Sequence, residues 1–211
     1  MVVVETANPC GWMRTLSMAP EAARMPQATD PPSKAGPAAV EAVRQWVYEP
    51  RLDAGVLPAA SEPVDIAELV SSVAADANFE ARSGNRRVEI ERSIPAVIQG
   101  DAGLLHSALE NIVRNAVRYT AADTSVVLSL DRQQKQRDCL QIGIRDHGPG
   151  VPEELREQIF NPFVTSKKDG VGLGLAIVAK IVDDHHGTIR LDPSAERGAS
   201  FRVFLPAAAK D

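Results

Sequence analysis

The chain has 211 residues, which is enough for one medium domain with a tail or for two small domains. Its 44% hydrophobic and 24% charged residues are ordinary for a soluble globular protein. The net charge of -5 gives no basic footprint for nucleic acid, and no apolar run approaches the roughly 18 residues that span a bilayer. We therefore expect no nucleic-acid partner and no membrane segment in this chain. Cys10 and Cys139 lack metal-ligand spacing, which predicts reduced thiols and a cytoplasmic location.

Proline is concentrated towards the N-terminus, where nine of the fifteen fall in the first 63 residues. The stretch from Pro20 to Pro37 has no sustained hydrophobic period, and residues 38–48 could form a short helix. We predict that residues 1–48 are disordered or belong to no assigned domain, that 49–62 form a linker, and that 63–208 form the folded domain.

From Pro63 onwards, helices and strands are mixed without the strict alternation of a doubly wound sheet. The pattern predicts an α+β fold, a two-layer sandwich in which helices cover one face of a mixed β-sheet. The predicted helices run from Val64 to Arg82 with Asp65 as N-cap, from Asp101 to Tyr119, over Glu153–Phe160, and over Leu173–Asp184. The predicted strands are Arg87–Glu91, Pro95–Ile98, Ser125–Asp131, Leu140–Arg145, Thr188–Asp192 and Ser200–Leu205.

The long predicted helix from Asp101 to Tyr119 has two distinct faces. Its apolar face consists of Leu105, Ala108, Leu109, Ile112, Val113 and Ala116. The opposite face carries Asn111, Arg114, Asn115 and Arg118 at i, i+3, i+4 and i+7. A solvated face is the alternative, but asparagine is a poor helix former. Amide oxygens suit Mg²⁺ and guanidinium groups suit phosphates, so ligand binding would explain all four residues together.

Two glycine-containing segments also suggest a ligand site. Asp146-His147-Gly148-Pro149-Gly150 follows a strand, and a carboxylate there can accept a hydrogen bond from an exocyclic amine such as that of adenine; an ordinary turn is the alternative. Gly170-Val171-Gly172-Leu173-Gly174 opens a helix, where backbone N–H groups can meet phosphate. It is not a P-loop, because no Lys-Ser/Thr follows the last glycine, and a simple loop entering a helix is the alternative.

The order of these segments resembles the catalytic, ATP-binding domain of sensor histidine kinases, which has the Bergerat fold of the GHKL proteins. The residues from Asn111 to Tyr119 match the N box, those from Asp146 to Gly150 the first glycine box, and those from Gly170 to Leu175 the second. Phe160-Asn161-Pro162-Phe163 matches the F box, and the stretch from Gly198 to Pro206 looks like the closing strand. The resemblance covers roughly residues 63–206, and residues 49–62 resemble the end of a dimerisation domain.

The resemblance implies roles for individual residues. Asn115, assisted by Asn111, would ligate a Mg²⁺ ion that bridges the phosphates of ATP, and Arg118 would contact phosphate; these three form the implied catalytic set. Asp146 would accept a hydrogen bond from the adenine amino group. The other implied nucleotide contacts are Tyr119 against the adenine, Gly148 and Gly150 admitting the base, Lys167 in a lid over 164–169, Gly172, Leu173 and Gly174 as phosphate donors, and Ser200 near the base.

The implied activity is that of a histidine protein kinase in a two-component system. Its partners would be a dimerisation and phospho-acceptor domain and, through it, a response regulator. No phospho-acceptor setting surrounds any of the four histidines, His106, His147, His185 and His186. Two alternatives stay open: a nucleotide-binding module or kinase fragment without independent catalysis, and a serine kinase that antagonises sigma factors. The Arg118-Tyr119 ending of the N box argues against the latter.

Overall fold

The computed structural model describes residues 61–134, 138–165, 171–192 and 197–207, together with two short strands nearer the N-terminus. These two strands, β1 (Glu5–Ala7) and β2 (Met13–Thr15), pair with each other in antiparallel fashion. The rest of the predicted N-terminal region, including the possible helix at 38–48 and the linker up to residue 60, lies outside the described residues.

The main sheet has five strands and is mixed. It contains β4 (Arg87–Arg92), β6 (Ser125–Gln134), β7 (Asp138–Arg145), β8 (Thr188–Leu191) and β9 (Ser200–Pro206). The spatial order is β4-β6-β7-β9-β8; β4 runs parallel to β6, and the other neighbours are antiparallel. A separate two-stranded antiparallel sheet is formed by β3 (Glu62–Asp65) and β5 (Val97–Gly100).

Three helices form the second layer: α1 (Ile66–Ala81), α2 (Ala102–Tyr119) and α3 (Gly174–Asp184). Two start at the predicted caps, since Asp65 Oδ1 accepts from the backbone N–H groups of Ala67 and Glu68, and Asp101 Oδ1 accepts from Leu104. The buried stripe of α2 contains all six predicted residues and Val117. The predicted α+β two-layer sandwich is confirmed.

The core lies between the two layers. Alternate strand residues point towards the helices and are almost fully buried, as the period of two requires. The buried residues of the three central strands on this face are Val126, Leu128 and Leu130 in β6, Leu140, Ile142 and Ile144 in β7, and Phe201, Val203 and Leu205 in β9. None of the helices in the described part of the chain combines the length and the apolar character needed to cross a bilayer.

Three local expectations differ from the structure. The predicted helix at Glu153–Phe160 is only a 3-10 turn over Glu153–Leu155, because eight residues between two prolines are too few for a stable helix. The first helix starts at Ile66 and not at Val64, because Val64 pairs with Ile98 in the two-stranded sheet of β3 and β5. The sulfur of Cys139 is in a disulfide, so the expected reduced thiol is wrong for this residue: the lack of metal-ligand spacing does not exclude a disulfide.

Candidate functional site

A cavity of about 350 Å³ opens between the C-terminal half of α2, the turn after β7, the start of α3 and the start of β9. This volume is within the range of sites for small organic ligands. It is lined by the polar residues Asn111, Asn115, Arg118, Tyr119, Asp146 and Thr165, by Gly150, Gly172 and Gly174, and by the apolar residues Ala116, Val151, Pro152, Leu155, Ile159, Val164, Val171, Leu173, Leu175, Ala199 and Phe201.

The polar face of α2 supplies one wall of the cavity, and a hydrogen bond fixes the side chain of Asn111 there. Its Nδ2 donates a hydrogen bond to the carbonyl oxygen of Ser107 at 2.8 Å. Oδ1 lies next to the start of α3, where a Cβ placed on Gly174 would be 3.5 Å from it. Asn115, Arg118 and Tyr119 line the same wall.

Arg114 shares that polar face but does not line the cavity. Its guanidinium pairs with Glu80 at 3.2 Å on α1 and with Glu110 at 3.5 Å, one turn earlier on α2. The idea that ligand binding explains all four polar residues of the helix is therefore wrong for Arg114. The reason is geometric: α1 packs beside α2 and offers a carboxylate, which the pattern of a single helix cannot reveal.

Asp146 is the buried acid of the site, with 3% of its surface exposed. Its Oδ1 accepts from the backbone N–H of Gly148 at 2.8 Å and of Ala199 at 3.0 Å. Both recorded hydrogen bonds end on Oδ1, so within the described residues Oδ2 is left for an external donor. Burial raises the pKa of Asp146, and the two backbone donors and nearby His147 offset part of this rise.

Glycines let three backbone segments meet around Asp146. A Cβ at Gly148 would collide with the carbonyl oxygen of Tyr119, and one at Gly198, where φ is +80°, would collide with the carbonyl oxygen of Asp146. Gly150, at φ +81°, lies against Gly198. Gly148 itself does not line the cavity but holds the turn against the end of α2. Gly198 and Ala199 were identified from the sequence only as part of a closing strand.

The opposite end of the cavity is built from backbone at the start of α3. Gly172 has φ +72°, and its carbonyl oxygen accepts from the N–H of Phe163 at 2.9 Å. The N-cap position of α3 is Leu173, whose side chain makes no capping hydrogen bond. The first N–H groups of this helix therefore have no side-chain acceptor at the cap, and the positive end of the helix dipole points at the cavity.

Of the predicted nucleotide contacts that the structure describes, Gly148 and Ser200 do not line the cavity. Ser200 lies between Ala199 and Phe201, which do line the cavity, and the alternation of the strand turns it to the other face of the sheet. Lys167 lies outside the described residues. The sequence pattern did not identify the apolar floor of the cavity. There Phe201 packs edge-on against Phe160 of the F box, with the two ring centroids 6.3 Å apart.

A mixed sheet under a helical layer, with a cavity between an asparagine-bearing helix and an uncapped helix start, is the architecture of one class of nucleotide-dependent enzymes. The chain belongs to the family of histidine kinase-, DNA gyrase B- and HSP90-like ATPases, whose sequence profile matches residues 100–209, more than half of the chain.

Individual relatives are sensor kinases. The chain is 36% identical over 153 residues to the sensor histidine kinase CpxA of Escherichia coli (strain K12), covering 69% of this chain and 32% of that protein. It is 35% identical over 122 residues to the adaptive-response sensory kinase SasA of Microcystis aeruginosa, covering 56% of this chain and 31% of that protein. The chain thus spans about a third of the length of these curated relatives.

Solved structures agree with this assignment. The mycobacterial sensor histidine kinase MprB superposes with a TM-score of 0.62 at 29% identity, covering 71% of this chain and 99% of that one. Full-length ShkA in complex with AMPPNP superposes with a TM-score of 0.64 at 30% identity, covering 74% of this chain and 33% of that one.

In the described residues, no group of three or more His, Cys, Asp or Glu side chains could hold a metal ion.

Proposed function

We propose that this chain is the Mg-ATP-binding catalytic part of a two-component sensor histidine kinase and that it transfers the γ-phosphoryl group to a histidine on a partner or another segment. The observation that carries the proposal is the cavity itself. It has a buried carboxylate, whose described hydrogen bonds all end on Oδ1, at one end, and the amide oxygen of Asn111 beside an uncapped helix start at the other.

The adenine base would bind at the Asp146 end. Oδ2 of Asp146 would accept from the exocyclic amine, while Oδ1 stays fixed by its two backbone donors. Tyr119, which is 39% exposed, would cover the base from the side of α2, and the apolar floor around Ile159 and Phe201 would exclude water from it. A base without an amine at that position would leave the buried carboxylate unpaired, so the site would select adenine.

The triphosphate would lie between α2 and the start of α3. Backbone N–H groups of Gly172, Leu173 and Gly174 would donate to phosphate oxygens, and Arg118 would add a positive charge. The donor set fits Mg²⁺, because Oδ1 of Asn111 is turned to the cavity and amide oxygens are ordinary ligands of this ion. Bound there with the help of Asn115, Mg²⁺ would neutralise charge on the phosphate oxygens.

The cavity is better suited to phosphoryl transfer than to hydrolysis. In related ATPases the position of Asn111 holds a Glu that activates water, and an amide cannot take a proton. Among the described residues, the only carboxylate in the lining is Asp146, which lies at the adenine end. We therefore expect slow hydrolysis by the chain alone; rapid steady-state release of phosphate would contradict this.

None of the four histidines lines the cavity among its described residues. His185 is buried with both ring nitrogens bonded, and Nδ1 of His147 lies 2.8 Å from the carbonyl oxygen of Ser125. The phospho-acceptor would thus be a histidine of a dimerisation domain, and a response regulator would receive the group next. ATP and response regulators are available in the cytoplasm, which is the proposed location. The same observation favours the alternative of a nucleotide-binding module without its own catalysis.

The deciding experiment is phosphotransfer with γ-labelled ATP, magnesium and a histidine-kinase dimerisation domain added in trans. Labelled phosphohistidine on that domain supports the kinase, whereas nucleotide binding without transfer supports the module. Asn115→Ala should abolish magnesium-dependent ATP affinity, measured by calorimetry. Gln133→Ala, which removes an amide from the sheet instead, should leave affinity unchanged. Absence of ATP binding by the folded wild-type chain would refute both readings.

A further inference from the structure

Thr120, the residue that follows α2, has its hydroxyl group inside the protein. Only 1% of its surface is exposed, and it is one of three buried polar residues among the described ones, with Asp146 and His185. Its Oγ1 accepts a hydrogen bond from the backbone N–H of His147 at 3.1 Å and lies 2.8 Å from Oγ1 of Thr124. Thr120 does not line the cavity, so its hydroxyl serves another part of the protein.

The hydrogen bonds around this hydroxyl have a single consistent direction. Oγ1 of Thr124 donates its one hydrogen to the carbonyl oxygen of Ala121 at 2.7 Å. Thr120 must therefore be the donor to Thr124, which leaves its lone pairs for His147. The result is an ordered series from His147 N–H through Thr120 and Thr124 to Ala121, in which each bond polarises the next.

This series begins on the turn that carries the proposed adenine acceptor. His147 lies between Asp146, which lines the cavity and accepts its described hydrogen bonds on Oδ1 alone, and Gly148, where a Cβ would collide with the carbonyl oxygen of Tyr119. The other anchor of the turn is the ring of His147, with Nδ1 2.8 Å from the carbonyl oxygen of Ser125 at the start of β6. Thr120 is thus the side-chain link between the turn and the C-terminal end of α2.

We infer that Thr120 is a positioning residue: it fixes the distance between Asp146 and Tyr119, and through it the affinity for the adenine base, without touching the nucleotide. The inference rests on the proposed function. It assigns a role to a buried hydroxyl that a helix end does not require, because the backbone N–H of Thr120 already donates to the carbonyl oxygen of Ala116. The inference also predicts that Thr120 affects binding of the base and not of the phosphates, which would bind at the opposite end of the cavity.

The test is Thr120→Val in the full chain, which keeps the volume of the side chain and removes the hydroxyl. The backbone at Thr120 has φ -59° and ψ 143°, an extended conformation that valine and serine adopt. The affinities for ATP and for inorganic triphosphate are measured with magnesium, by displacement of a fluorescent ATP analogue. We expect ATP affinity to fall on the order of tenfold, and triphosphate affinity to stay within about twofold of wild type.

Two further variants make the result specific. Thr120→Ser retains the hydroxyl and should restore ATP affinity to within about twofold of wild type. Thr124→Val removes the hydroxyl group of the next residue in the series. It keeps the hydrogen bond from His147 N–H to Thr120 Oγ1 and should leave ATP affinity nearly unchanged. Equal losses for ATP and triphosphate, equal losses in the two valine variants, or no rescue by serine would each overturn the inference. A wild-type chain that binds triphosphate but shows no preference for ATP would overturn the proposed adenine site as well.

Discussion

The two ends of the cavity are built in different ways. At the end proposed for adenine (the adenine end), side chains and backbone from three elements converge on one turn: Asp146 accepts from Gly148 and Ala199, its own N–H donates to the carbonyl oxygen of Ala199 at 2.9 Å, and Thr120 accepts from the N–H of the next residue. At the phosphate end, a hydrogen bond from Phe163 to the carbonyl oxygen of Gly172 joins the segments, and the donors there are main-chain N–H groups.

This difference matches what each end would recognise. Selecting one base requires a fixed hydrogen-bond acceptor that is shielded from water, because a base without a matching donor then leaves the buried acceptor unpaired. Phosphates are bound by charge and by several equivalent N–H groups, so small displacements of the backbone cost little. We therefore expect changes at the adenine end to affect folding or base selectivity strongly, and changes at the phosphate end to be partly absorbed.

The largest effect is expected from Gly198→Ala. The new Cβ would collide with the carbonyl oxygen of Asp146 at a residue with φ +80°, and neither β9 nor the turn can retreat. We expect the free energy of unfolding to fall by roughly 4 kcal/mol, measured by urea denaturation. Gly103→Ala, in the first turn of α2, meets only Oδ1 of Asp101 at 3.4 Å and should leave stability unchanged or higher. Equal stability of the two variants would refute the tight packing of this end.

Asp146→Asn separates binding from stability. The amide keeps Oδ1 as an acceptor for Gly148 and Ala199 but places a donor where the adenine amine would donate. We expect ATP affinity to fall about a hundredfold, measured by calorimetry. The free energy of unfolding at pH 7 should be unchanged or higher, because the buried charge is gone. A variant that is less stable but still binds ATP normally would make Asp146 a purely structural residue.

The pH dependence of stability in wild type and Asp146→Asn tests whether the buried charge of Asp146 causes the difference between them. Burial raises the pKa of Asp146, so the native state holds this proton more tightly than the unfolded chain does. Ionisation of the group therefore costs stability; the cost is complete above the raised pKa and disappears as pH falls below it. The stability difference between Asp146→Asn and wild type should shrink as pH falls through that range, and ATP affinity of wild type should fall over the same range. A difference that grows towards acid would contradict the sign.

The sequence could predict those features of the site that depend on residues close together in the chain, but not those that join distant residues. The apolar stripe of α2 and its caps follow from local periodicity, and so does the placing of Asn111 and Asn115 on one face. The meeting of Gly198 with Asp146 could not be predicted, since it joins residues 52 positions apart through the pairing of β7 with β9. The buried hydroxyl of Thr120 was missed for the same reason: nothing local distinguishes it from any threonine after a helix.

At the phosphate end, Gly172→Ala should have a smaller effect than Gly198→Ala. The residue has φ +72°, and a Cβ would lie 2.7 Å from the carbonyl carbon of Phe163. The contact is with one neighbouring segment, whereas Gly198 meets a turn that several hydrogen bonds hold, so we expect a loss of about 1–2 kcal/mol in stability. ATP and inorganic triphosphate should both bind about tenfold more weakly, because the N–H donors move for both. A loss confined to ATP would show that this segment recognises the base.

The smallest effect is expected from Arg114→Ala, and its value lies in the contrast with Arg118→Ala. Both arginines were placed on the same polar face by sequence, but Arg114 pairs with Glu80 and Glu110 and is absent from the cavity wall that Arg118 lines. Partly exposed ion pairs contribute about 0.2–1 kcal/mol, so Arg114→Ala should lower stability slightly and change triphosphate affinity by less than about twofold. Arg118→Ala should leave stability near wild type and weaken triphosphate about tenfold, because it removes a charge facing the phosphates. If the two variants bound triphosphate equally well, the assignment of the phosphate end to this part of α2 would be wrong, since Arg118 lines the cavity and Arg114 does not.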